Sequence, residues 1–291
     1  MMRRAMVLLA ATLALGLPLA AGAPDPAAGA GRTLVFGAAM EPRVSGQTRP
    51  AAIEDLERSI GRPLAAVRNY YVWDAPFPTA DDRWLRDTGH TIYMSVKARL
   101  LNGTAVSWRS IADAVPGTAR YNQIASWADR VKAFGAPVVF TFNHEPEAGT
   151  NTDLGTNVDF IDAWRRVISI FRERGVTNAT YAWIMTDYSF EVQDRRAARL
   201  WYPGDEWIDA IGVDAYNWYR CRPNAPIEWR SLARTIEPMR QFGLAHPNEQ
   251  LMVTEFGSVE DPAVPGRKAQ WFDDARALFA QPGYERFTSV L

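Results

Sequence analysis

Two glutamates occupy matching contexts far apart in the chain. Val138-Val139-Phe140-Thr141-Phe142-Asn143-His144-Glu145-Pro146-Glu147 and Leu251-Met252-Val253-Thr254-Glu255-Phe256-Gly257 each run through β-branched and aromatic residues to an acid. Such a run predicts a buried strand that delivers the acid at its C-terminal end. A carboxylate taken out of water without partners is costly, so an acid in that place implies a use for it. Two carboxyl groups, one protonated and one ionised, are the equipment for cleaving a glycosidic bond. For a retaining reaction they would stand roughly 5 to 5.5 Å apart.

Other residues could join them. Alternation with period 2 places Asp214, Tyr216 and Trp218 on one side of a further strand, a polar-to-aromatic series directed at the same end. Trp73 and Trp218, at strand ends, could stack on sugar rings, and packing in the barrel wall is an equal reading for both. Glu147 rivals Glu145, but its place after Pro146 reads better as a solvated loop acid. His144 is either a partner of Glu145 or a core histidine held by a backbone carbonyl. His144-Glu145-x-Glu147 is a poor metal site, since His90 and His246 are the only other histidines and there is no cysteine pair. No metal and no cofactor is expected.

The elements that must position these residues alternate along the chain. Strand-like runs fall at Leu34 to Ala38, Ala66 to Trp73, Ile92 to Val96, Val138 to Asn143, Thr180 to Met185, Ile211 to Tyr216, Leu251 to Glu255 and Phe287 to Leu291. Between them the clearest helix has Phe160, Ile161, Trp164, Val167, Ile168 and Phe171 on one face, a Thr156-x-x-Asp159 cap and Gly175 at its end. Others are predicted at Ala51 to Ile60, Trp108 to Phe134, Ile227 to Phe242 and Lys268 to Ala280. Eight strands alternating with helices in one domain predict an α/β fold, the (β/α)8 TIM barrel, with its eighth strand at the extreme C-terminus of the sequence. The doubly wound open sheet is the alternative, but no Gly-rich phosphate loop follows the first strand. In a barrel, loops at the C-terminal strand ends carry the active site, which is where Glu145 and Glu255 would sit.

Composition narrows the partner. Net charge is −1 and the pI about 6.3, and no basic cluster resembles a nucleic-acid footprint. A neutral polysaccharide is the natural substrate, and the 11 tryptophans and 10 tyrosines suit it, though core packing accounts for most of them. Cys221 is the only cysteine, so no intrachain disulfide forms and a large core must hold a chain that is 47% apolar. A monomer is expected. Arg3 and Arg4 precede an apolar stretch, Ala5 to Leu19, with small residues after it, the order of a secretory signal. Residues 1–23 are read as that signal, with 30 as the alternative end, 24–32 as a flexible Ala/Pro/Gly-rich leader, and 33–291 as the catalytic barrel. A retained membrane anchor competes, although Gly16 and Pro18 interrupt the run and it is short for a span. Asn102-Gly103-Thr104 and Asn178-Ala179-Thr180 match the glycan acceptor pattern, which arises readily by chance.

Three stretches together resemble glycoside hydrolase family 26. They are Phe142-Asn143-His144-Glu145, the segment WYPGDEWIDAIGVDAYNW from Trp201 to Trp218, and Thr254-Glu255-Phe256-Gly257, falling in strands 4, 6 and 7. The resemblance spans Leu34 to the C-terminus. It implies a secreted, retaining, endo-acting enzyme of the large clan A, with β-1,4-mannan the first-choice substrate and β-glucan or xylan the alternatives. It further implies that Glu145 is the general acid/base, Glu255 the nucleophile, Tyr216 a hydrogen-bond donor to the nucleophile, and His144 a residue that contacts substrate or orients its neighbour. Members also place a tryptophan platform at the end of strand 8. A barrel that binds polysaccharide without cleaving it is the reading from a different class.

Overall fold

The computed structural model describes residues 34–291. The expected signal (1–23, or to 30) and leader (24–32) lie outside the described residues.

Eight parallel strands close into a barrel in sequence order: β1 (Val35–Ala38), β2 (Ala66–Val72), β3 (Thr91–Lys97), β4 (Val138–Phe142), β5 (Ala179–Thr186), β6 (Ala210–Asn217), β7 (Gln250–Ser258) and β8 (Phe287–Val290). The ring closes where Val35 and Phe36 of β1 pair with Ser289 and Val290 of β8. This is the (β/α)8 architecture, and each strand lies within a few residues of its predicted place. β-Branched and aromatic residues predominate in the strands because both faces are covered, one by the barrel interior and one by helices.

Around the barrel run α1 (Arg49–Ile60), α2 (Ala80–Asp87), α3 (Trp108–Ala112), α4 (Ala119–Phe134), α5 (Asn157–Glu173), α6 (Leu232–Leu244) and α7 (Arg267–Leu278). The Thr156/Asp159 capping box opens α5 as the sequence pattern requires, and its apolar face is buried. Three expectations are corrected. The single helix over Trp108 to Phe134 is two, because Pro116 lacks an N–H to donate and Gly117, at φ 90°, turns left-handed before Thr118 caps α4. The segment Ile227 to Phe242 becomes helical only from Leu232, where the Ser231 side chain caps the first turn. Helix α2 went unpredicted despite its own Thr79/Asp82 capping box. Between β5 and β6 there are only short 3-10 turns. There Tyr202 and Phe190, together with Phe242 of α6, cover Trp183, with ring centroids at 5.0, 6.0 and 5.9 Å.

Two apolar layers result. Inside the barrel, Ala66, Tyr93, Val139, Ala182, Ile184, Ala210, Met252 and Leu291 form a plug. Outside, between strands and helices, Trp108, Trp164, Trp183, Phe140, Phe142, Phe160 and Phe171 are fully buried. Each such side chain removed from water contributes roughly 2 to 3 kcal/mol. The buried polar cluster of Arg68, Asp214 and Glu255 lies apart from this apolar plug.

Candidate active site

Above the plug, β2 turns Arg68 and Tyr70 inward at alternate positions. Arg68 is 1% exposed, and its Nη2 lies 3.4 Å from Glu255 Oε1 and 3.7 Å from Asp214 Oδ2. The Tyr70 hydroxyl donates to Glu255 Oε1 at 2.6 Å, and the Tyr216 hydroxyl donates to Glu255 Oε2 at 3.0 Å. Burial, with Glu255 nearby, pushes both phenols up, so both remain donors. Glu255 therefore offers only acceptors to two hydroxyls and a guanidinium.

Strict alternation does not account for Glu255. Met252 points into the barrel and Val253 out of it, so Thr254 should point in and Glu255 out. The pairing with β6 skips a residue instead: Val213 faces Val253, and Asp214 faces Glu255. Thr254 is the extra residue of a bulge, which swings the next side chain inward as well. Thr254 Oγ1 donates to Asp214 Oδ1 at 2.7 Å, and Phe256 returns to the outer layer against Trp271.

Glu145 follows β4 on a tight turn. Asn143 and Glu145 both adopt left-handed conformations, at φ 49° and 48°, unusual for residues with a side chain. Hydrogen bonds hold the turn in place: Asn143 N–H donates to Val96 O at 2.8 Å, Ala98 N–H to Asn143 Oδ1 at 3.1 Å, Glu145 N–H to Ile184 O at 2.9 Å, and Asn151 Nδ2 to Glu145 O at 2.8 Å. Burial, then the charges of Glu255 and Glu147, push the Glu145 carboxyl up to about 7. His144 hydrogen-bonds through Nδ1 to Ser95 Oγ at 2.5 Å, and its ring lies 5.4 Å from that of Tyr70. Burial and the charges of Arg68 and Lys97 push its pKa well down, which leaves a neutral imidazole. The backbone-carbonyl reading of His144 is replaced by this serine contact.

The structure brings Glu255, Asp214, Tyr216, His144, Arg68 and Tyr70 together. A ring nitrogen of His144 and carboxylate oxygens of Asp214 and Glu255 lie within 4.8 Å of one another. That spacing suits a cation, but the Arg68 guanidinium already supplies the positive charge beside both acids. Burial pushes the Asp214 carboxyl well up, with Arg68 opposing and Glu255 and Glu145 adding. Trp218 is 40% exposed, with its ring 4.8 Å from that of Tyr216.

Two expectations fail. Trp73 is 4% exposed, edge-on to Phe142 at 6.0 Å, with its indole N–H donated to Gln123. It packs the wall and offers no face to a sugar. Glu147 is not a solvated loop acid: it is 3% exposed and its Oε1 accepts from Thr186 and Ser189.

A model of glycosyl hydrolase family 26 matches residues 110–241, a stretch that runs through the Glu145 turn and the Asp214–Tyr216 strand. The family it matches is glycoside hydrolase family 26. Endoglucanase H of Acetivibrio thermocellus is 26% identical over 239 residues, covering 80% of this chain and 25% of its own length. Solved structures share the fold. An endo-β-1,4-mannanase of Cellulomonas fimi superposes with a TM-score of 0.59 at 17% identity, covering 88% of this chain and 64% of its own. An endo-1,4-β-xylanase of Penicillium canescens gives 0.57 at 13% identity, over 88% and 81%. The chain spans a quarter of endoglucanase H and under two thirds of the mannanase.

Proposed function

We propose that this family 26 protein is a secreted, retaining, endo-acting β-glycoside hydrolase, with Glu255 as nucleophile and Glu145 as acid/base. One observation carries the reading: an acid whose oxygens are both held by hydroxyl donors shares a barrel mouth with a second acid whose proton affinity that first charge raises. Environments that push two carboxyl groups apart in this way assign the acid and the nucleophile.

In the first step a Glu255 oxygen bonds the anomeric carbon as the glycosidic C–O bond breaks, and the Glu145 proton passes to the leaving oxygen. In the second, Glu145 takes a proton from water, the water oxygen attacks the same carbon, and the bond to Glu255 breaks. His144 and Trp218 are assigned to substrate contact, whereas Asp214, expected from the sequence to contact substrate, is buried against Arg68 and Thr254 and supports the site from beneath; no metal or cofactor takes part. The protein acts as a monomer, and the arginine-led apolar stretch at residues 3–19 supports export. Among the described residues, no helix is long and apolar enough to cross a membrane.

β-1,4-Mannan is the first substrate, on the motif resemblance. β-Glucan is the second, favoured because the relative with the higher identity is named an endoglucanase. Carob galactomannan, lichenan and xylan, assayed by viscosity and reducing ends with the product anomer read by NMR, test the proposal. Expected are a rapid fall in viscosity on one of the three, the β-anomer formed first, and loss of turnover in Glu255→Ala. Glu145→Ala should be accelerated by azide on an aryl glycoside. Binding without cleavage, or an α-anomer, overturns it.

A further inference from the structure

Glu147 has more structure built around it than a loop acid needs. One oxygen, Oε1, accepts three hydrogen bonds from the end of β5 and the turn after it: Thr186 N–H at 2.9 Å, Thr186 Oγ1 at 2.6 Å and Ser189 Oγ at 2.6 Å. Ser189 Oγ also lies 2.8 Å from Thr186 O, so its single proton is shared between that carbonyl and the carboxylate, and the hydroxyl is held close to both. The other oxygen, Oε2, is buried with no hydrogen-bond partner. A carboxyl group held this way is expensive in isolation, and a strand-end turn could be tied down with less.

Its position supplies the reason. Two residues earlier, the Glu145 N–H bonds Ile184 O on the same strand, two residues before Thr186. The turn is therefore stitched to β5 on both sides of Pro146, and Glu145 sits between a left-handed Asn143 and this anchor. Releasing the anchor would let the turn relax towards an ordinary backbone conformation, and the Glu145 side chain would move with it.

We propose that Glu147 is a positioning residue for the reaction: its buried carboxyl fastens the β4 turn to β5 and so aims the Glu145 proton at the leaving oxygen. The inference rests on Glu145 being the acid/base of the proposed hydrolysis.

The consequence is selective. A misaimed acid hurts only those bonds whose leaving group must be protonated, and a displacement near 1 Å costs on the order of 100-fold. Glu147→Ala should lose about 10- to 100-fold in kcat/KM on whichever of carob galactomannan or lichenan the wild type cleaves. The burst of dinitrophenolate from a 2,4-dinitrophenyl β-glycoside should stay within about threefold, because that leaving group needs no acid. Glu147→Gln can still accept from Thr186 and Ser189, and should recover most of the polysaccharide rate. If Glu147→Ala does not fold, Ser189→Ala, which removes a single donor, must show the same selectivity at smaller size. Equal loss on both substrates, or none on the polysaccharide, overturns the inference. Glu145→Ala in the same assay separates the two failures: full polysaccharide activity there sinks the catalytic reading itself, whereas a selective loss there beside an unselective Glu147→Ala sinks only this one.

Discussion

Tyr70 and Glu255, 185 positions apart in sequence, meet at 2.6 Å through hydroxyl and carboxylate. Tyr216 takes the opposite oxygen of the same carboxylate at 3.0 Å. Each hydroxyl fixes one oxygen, so the rotation of the carboxylate plane is set from two strands at once. Removing one donor to a charged acceptor costs roughly 1.5 to 3 kcal/mol. Tyr70→Phe is expected to lower kcat/KM by about 10- to 100-fold with little change in Tm, read on the best substrate of the panel.

The pH dependence follows from Glu145. With its carboxyl up to about 7, held there by burial and by the charges of Glu255 and Glu147, it carries its proton across the mildly acidic range. As the proposed general acid it must be protonated, so kcat/KM should fall above pH about 7. A profile measured on polysaccharide should show this limb, and azide-assisted turnover by Glu145→Ala should lack it.

The same shift has a stability side. In the unfolded chain this carboxyl ionises near its ordinary value of 4.5, and in the folded protein near 7. The folded state thus binds the proton more tightly, and this contribution is complete below pH about 4.5 and lost as pH climbs through about 7. Glu145→Gln stays neutral throughout. It should be more stable than wild type at pH 8, on the order of 1 to 3 kcal/mol, with the gap closing by pH about 4.5 in thermal melts.

Arg68 lies within 3.4 and 3.7 Å of Glu255 and Asp214 inside the barrel. Arg68→Met keeps the length and removes the charge, which leaves two carboxyls facing each other out of water. Stability should drop by about 3 to 5 kcal/mol near neutral pH. The loss should shrink as pH falls and the carboxyls take up protons, which denaturant melts at pH 8 and pH 5 would compare.

Gly212 on β6 is a tight approach. A Cβ there would meet Ile184 Cγ1 at 2.6 Å and Thr254 Cγ2 at 3.2 Å. Gly212→Ala should cost about 1 to 3 kcal/mol by overpacking and should shift the Thr254 bulge. Activity should therefore fall more than Tm alone accounts for, measured at a temperature where the variant is fully folded.

The barrel was legible because strand runs and helix faces repeat in the sequence, and because Thr156 and Asp159 mark a helix start without help from the rest of the chain. Glu145 and Glu255 were legible as acids at strand ends. Their orientation was not. The Thr254 bulge is a property of pairing between β6 and β7, and period-2 alternation taken alone would turn Glu255 outward. Arg68 was readable in principle, since an arginine inside the run Ala66 to Trp73 demands a buried partner. Nothing local pointed to Asp214 and Glu255 as those partners. Glu147 was misread because Pro146 signals a loop, and its partners Thr186 and Ser189 come from a later strand. Trp73, at the end of its predicted strand, suited a sugar platform and wall packing equally, and the contact that decides for packing, its indole N–H donated to Gln123 on α4, comes from a later helix.

The charge on Glu255 is one of the things that holds a proton on Glu145. Any event that turns the Glu255 carboxylate into a neutral ester removes that hold. The neighbouring acid then gives up its proton more readily, at the moment when a proton acceptor is required there. Burial and Glu147 remain as before, so the change is paced by the bond to Glu255 alone. In the proposed mechanism the two glutamates would act as one relay, reset each time the ester is cleaved, with no moving loop needed to exchange the roles.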